Sequence, residues 1–150
     1  METKKIEKTL VAVHSFKTTL AKINDAVGIK PNLIAQELAK QAIEPTASQI
    51  WNYIDCDGKP DTEFTLEICF PVKQRGEDTN DVSFKTLNNF SCISHVHEGP
   101  WNEFSDVYEK LFAGICKDGY TPTGQCREVY HHCDFEDQSK CVTEIQVEVK

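Results

Sequence analysis

A chain of 150 residues suffices for one domain with a single core, since this length buries roughly 68 to 70% of its unfolded surface, and it leaves nothing for a second. Asp and Glu number 24 against 16 Lys and Arg, a formal net charge of −8, which repels phosphate backbones and anionic membranes and leaves cationic partners as the easier match. No apolar stretch is long enough to span a membrane and no hydrophobic block marks a secretory signal, so a cytoplasmic protein is expected.

Lys4, Lys5 and Lys8, interrupted by Glu2 and Glu7, read as a solvated, mobile N-terminal charge run. Residues 9–13 read as a short strand. Residues 31–43 read as a helix, opened by Pro31, with Leu33, Ile34, Leu38 and Ala42 at helical spacing. Strands at 49–54 and 63–72 flank the turn-rich Asp55-Cys56-Asp57-Gly58. Residues 73–81 form a polar connector. A strand at 90–97 and a helix at 100–117 follow, the helix carrying Trp101, Phe104, Tyr108, Leu111, Phe112 and Ile115 on one stripe and ended by Gly119. Strands at 127–133 and 142–149 complete the chain, joined through residues 134–139.

The order strand, helix, strand, strand therefore occurs twice, over about 8–72 and about 85–149. Glu67-Ile68 and Glu144-Ile145 lie 77 positions apart, as do Tyr53 and Tyr130, Asp57 and Asp134, and Val72 and Val149. A shared offset argues for a duplicated unit and pseudo-two-fold symmetry. The fold class expected is α+β: two βαββ units, antiparallel strands, helices on one face.

Alternation places Phe64, Leu66, Ile68, Phe70 and Val72 on one side of their strand and Thr65, Glu67 and Cys69 on the other. In the last strand, Thr143, Ile145, Val147 and Val149 oppose Val142, Glu144, Gln146 and Glu148. With the apolar sides under the helices, the opposite face is expected to hold Glu67 and Glu144, with Tyr53, Tyr130 and Trp51 on neighbouring strands. Such a face is either simply wet or a carboxylate and aromatic site. Trp101, at the start of the aromatic helix, is a further candidate at a cleft mouth.

Seven cysteines at irregular spacing, without a signal peptide, favour reduced thiols. Cys92, His95 and His97, and Cys126, His131, His132 and Cys133, form two groups, but neither has a Cys-x-x-Cys or His-Glu-x-x-His spacing, so no metal site is expected. No cofactor is implied.

Gly99-Pro100-Trp101, Gly119-Tyr120-Thr121-Pro122, Arg127-Glu128-Val129-Tyr130, Asp134 and Thr143-Glu144-Ile145-Gln146-Val147, with Glu67-Ile68-Cys69-Phe70-Pro71-Val72 in the first half, resemble the GyrI-like family. That family shares its domain with the effector-binding modules of AraC-type and multidrug-responsive transcription regulators. The resemblance covers essentially the whole chain. It implies a ligand cleft between the two halves, aromatic residues around a buried glutamate, and an aromatic or cationic small-molecule ligand. The glutamate falls on Glu144 and the cleft tyrosine on Tyr130. One departure is Glu148, where the family usually has a proline late in the last strand. The family's regulators carry a helix-turn-helix module for which this chain has no room, so a stand-alone ligand-binding protein without direct DNA binding is expected. The resemblance leaves two alternatives, a small-molecule hydrolase using the cleft glutamate and tyrosine, and a protein-binding inhibitor like the family member that targets gyrase.

Overall fold

In the computed structural model, which describes residues 1–150, eight strands form one antiparallel sheet. The elements are β1 (Lys4–Ile6), β2 (Thr9–Thr18), α1 (Ile23–Val27), α2 (Lys30–Lys40), β3 (Ile50–Ile54), β4 (Phe64–Pro71), β5 (Ser83–Leu87), β6 (Phe90–Glu98), α3 (Phe104–Lys117), β7 (Pro122–His132) and β8 (Val142–Val149). Their order across the sheet is β1-β6-β8-β7-β3-β4-β2-β5. The two βαββ units meet at β7 and β3, with Ile50 opposite Val129 and Ile54 opposite Gln125.

The repeat is visible in the register itself. Tyr53 opposes Leu66 in the first hairpin and Tyr130 opposes Thr143 in the second. Both members of the pair move by 77, so the hairpins are equivalent residue for residue at this point. The leading strands are exchanged between halves. β1 precedes the first unit but pairs with β6, and β5 precedes the second but pairs with β2. Each unit thus covers the other's sheet edge, which would otherwise expose unpaired backbone groups.

Neither short strand is evident from hydrophobic pattern. β1 is only three residues long and carries two of the lysines expected to be mobile; its order comes from pairing with β6 and from an ion pair between Lys4 and Glu144. β2 runs five residues beyond its expected end, because it is zipped against β4 from Val11–Pro71 to Thr18–Phe64. β7 likewise starts at Pro122 rather than at 127. α2 stops at Lys40, and Ala42, expected inside it, has a positive φ of 57°.

Both long helices lie on one face. Ile34 and Leu38 of α2 join Leu66, Ile68 and Phe70 of β4 in the larger core, and Leu111 and Ile115 of α3 join Ile145, Val147 and Val149 of β8 in the smaller. On the opposite face a third cluster of Val11, Val13, Cys69 and Leu87, with Ile50 against it, covers part of the first half. All seven cysteines are unpaired. No helix is long and apolar enough to cross a membrane.

Candidate functional site

Residues directly opposite in an antiparallel pair share a face. Trp51 opposes Ile68 on one side and Glu128 on the other, and Glu128 opposes Ile145. Trp51, Tyr53, Glu128 and Tyr130 therefore lie on the helix-bearing face, together with the apolar residues of β4 and β8. The expectation that Tyr53, Tyr130 and Trp51 share a face with Glu67 and Glu144 is corrected by this register. A one-residue change of pairing would reverse it.

The site is built around Glu128. Tyr53 from β3 donates its hydroxyl to Glu128 Oε1 at 2.9 Å, Tyr108 from α3 donates to Oε2 at 2.6 Å, and Tyr130 donates to Oε1. Glu128 is 4% exposed, although it sits in a sheet strand facing a helix rather than at a rim. Burial pushes its carboxyl above the ordinary range, and the three phenol donors oppose that shift without cancelling it. The same burial, followed by the neighbouring carboxylate, raises the pKa of all three tyrosines, so they stay protonated and act as donors.

Aromatic rings connect this carboxylate to the surface. Trp51 meets Tyr130 edge to face at 5.2 Å, Trp101 meets Tyr130 at 6.4 Å, and Phe135 meets Trp101 at 5.4 Å. Phe135, in the β7–β8 connection, is 79% exposed, so the chain of rings starts in solvent and ends at Glu128. Two buried polar atoms near Tyr130 lack partners, Trp101 Nε1 and the hydroxyl of Thr143, which lies opposite Tyr130 in the β7–β8 pair. Buried polar atoms normally find a partner.

Glu128 was not among the candidates read from the sequence; the signal that could have found it is its place two residues before Tyr130, and hence on the same face. Tyr108 was assigned only to the apolar helix stripe. The two-fold makes the site unequal. The position equivalent to Glu128 is Trp51, so the duplicated scaffold supplies two tyrosines but one charge.

Glu67 and Glu144 are equivalent to each other on the opposite face, away from these rings. Glu144 accepts from Lys4 Nζ at 2.8 Å, Ser94 Oγ at 2.7 Å and Gln146 Nε2 at 2.8 Å, and its other oxygen lies 3.0 Å from His131 Nε2. Burial alone would raise its pKa, but these partners hold it down to about 2. Glu67 accepts from Asn52 at 2.9 Å and pairs with Lys85. Lys4 and Lys85 thus hold the two glutamates in the same way on the two halves.

A carboxyl depressed in the folded state contributes stability above its unfolded pKa and loses it as pH falls toward the folded value. Glu144→Gln is accordingly expected to cost about 1–2 kcal/mol at neutral pH, the half-exposed Lys4 limiting the figure. Urea unfolding should show that gap closing as the pH is lowered toward about 2.

The model of the GyrI-like small molecule binding domain matches residues 1–150. The chain belongs to the GyrI-like family. Solved structures agree in fold. The EcmrR C-terminal domain superposes with a TM-score of 0.84 at 22% identity, over 99% of this chain and 96% of that one. In a complex of EcmrR with DNA the TM-score is 0.85 at 22% identity, and the match again spans 99% of this chain but 56% of that longer one. SAV2435, solved bound to tetraphenylphosphonium, gives 0.67 at 15% identity over 99% and 93% of the two chains. A Listeria innocua hydrolase gives 0.60 at 13% identity over 99% and 92%. No curated protein sequence matches the chain. At 22% identity or less, the likeness to these solved structures is one of fold.

Proposed function

We propose that this GyrI-like domain binds a lipophilic aromatic cation in the cytoplasm, the positive charge resting on Glu128 and the apolar groups on Trp51, Trp101 and Tyr130. The observation that carries the reading is a buried carboxylate with no cation of its own. Its only side-chain partners are three neutral hydroxyls. A desolvated carboxylate gains strongly from a cation, and each ring face adds about 0.5–2 kcal/mol. Tetraphenylphosphonium, the ligand of SAV2435, has this chemistry. The rings that close over Glu128 must part to admit it, and Trp101 and Phe135, nearest the solvent, are placed to move.

Titration calorimetry with tetraphenylphosphonium and the uncharged triphenylphosphine oxide tests the reading. Protonation of Glu128 removes the attraction, so cation affinity should fall as pH drops through its raised pKa. Binding at a fixed pH within that window should release protons, read from the dependence of the heat on buffer ionisation enthalpy. The neutral compound should show neither effect. Equal affinity for both compounds at every pH defeats the proposal.

A second reading is turnover, favoured by the contact between a carboxyl of raised pKa and three phenols, which together could serve as general base and acid. Mass spectrometry of a long incubation with a reactive small-molecule ester, where wild type consumes it and Glu128→Gln does not, would establish it.

A further inference from the structure

The face away from the helices carries a groove between β5, the Asn88-Asn89 turn and the middle of β7. The groove is open to solvent on one side, has a volume of about 380 Å³, and is lined by Asn52, Glu67, Lys85, Gln125, Arg127 and Glu148, among others. Arg127 is 3% exposed, its Nε–H is buried without a partner, and its side chain takes part in no hydrogen bond or ion pair. The carboxylates and amides beside it are committed elsewhere. Glu67 holds Asn52 and Lys85, the Asn52 carbonyl accepts from Gln125 at 3.0 Å, and Glu148 accepts the hydroxyl of Thr123.

A guanidinium whose Nε–H is buried without a partner is costly. The fold itself does not call for one here. The equivalent position in the first half is Ile50, packed in an apolar cluster, so this point of the sheet accepts a hydrocarbon side chain. One face of the guanidinium rests on Phe90, with its central carbon 3.9 Å from the ring centroid. That contact fixes the plane and leaves the N–H edge without a protein acceptor.

We infer that this groove is a second binding site, for a small monocarboxylate held by the planar fork of Arg127. A carboxylate matches two parallel guanidinium N–H groups. The nearby Glu67 and Glu148 repel a dianionic phosphate more strongly than a single negative charge. The site is separated by the sheet from Glu128, so it stands whether or not the cation reading does.

The chain has two arginines, Arg75 and Arg127, and therefore two side-chain Nε–H signals. In ¹H–¹⁵N spectra of the wild-type protein, sodium acetate should shift the Arg127 Nε–H downfield in a saturable way and leave Arg75 in place. Chloride and phosphate at matched ionic strength should do neither. Arg127→Lys, which keeps the charge but loses the fork, should weaken acetate binding by about tenfold or more. Glu128→Gln should leave it unchanged. An Arg127 signal that acetate does not move, or that chloride moves equally, overturns the proposal, and this wild-type measurement decides even if the Arg127 variant fails to fold.

Discussion

Glu128→Gln should lower the affinity for tetraphenylphosphonium by about 2–5 kcal/mol, the usual loss when one member of a desolvated charge pair is removed. Glutamine keeps the shape, its carbonyl oxygen can still accept from Tyr53 and Tyr130, and its amide N–H group can donate to Tyr108 once that hydroxyl turns, so the loss reports charge rather than packing. Triphenylphosphine oxide should lose far less. Tyr130→Phe should cost about 1 kcal/mol for the cation, because the ring remains and only the hydroxyl contact goes. Glu144→Gln, on the other face, serves as the control and should bind like wild type.

The same substitution has an opposite signature in stability. A carboxyl whose pKa is raised by folding binds more protons in the native state, so its contribution to stability declines as pH rises from its unfolded value through its folded one. Glu128→Gln removes that decline. The variant should match wild type below the unfolded carboxyl pKa and gain on it as pH rises through the window. Calorimetric melts across that range, together with the binding data, separate a ligand-binding carboxylate from a structural one. A variant that loses stability at every pH and binds both compounds equally poorly would mark Glu128 as structural.

Leu38→Ala and Ile115→Ala should each destabilise the fold by about 2–5 kcal/mol, the range for deleting a fully buried aliphatic side chain. The two are equivalent positions, 77 apart, on α2 and α3, at 1% and 0% exposure. Leu38 lies in the larger core with Ile34, Leu66 and Ile68, and Ile115 in the smaller one with Leu111 and Ile145. Urea unfolding of both variants should remain a single transition. The backbone ladder is continuous through β7 and β3, and the exchanged strands β1 and β5 tie each half to the other. Two resolved transitions in either variant would show that the halves unfold separately.

Much of the fold was readable from local pattern. The aromatic and aliphatic stripe of residues 104–115 specifies a helix with one apolar face, and the alternation of residues 64–72 specifies a strand with one. The 77-residue offset ties these into two like units. β1 and β5 were not readable, since strands of three and five residues owe their order to partners distant in sequence. Part of the aromatic cluster was readable. Tyr53, Tyr130, Trp51 and Trp101 are gathered on one side of the sheet, but around Glu128 and Tyr108 instead of Glu67 and Glu144.

The sequence by itself determined which residues of a given strand share a face, because alternation is a property of each strand alone. It could therefore pair Glu128 with Tyr130, and Glu67 with Thr65 and Cys69. Only the tertiary structure decided which face of one strand continues which face of the next. That depends on the register between strands, where Tyr53 opposite Leu66 puts the tyrosines under the helices and a shift of one residue would have put them beside Glu67. The same register, by burying Glu128 among phenols and giving Glu144 to Lys4, settled which of two chemically identical side chains is left without a cation.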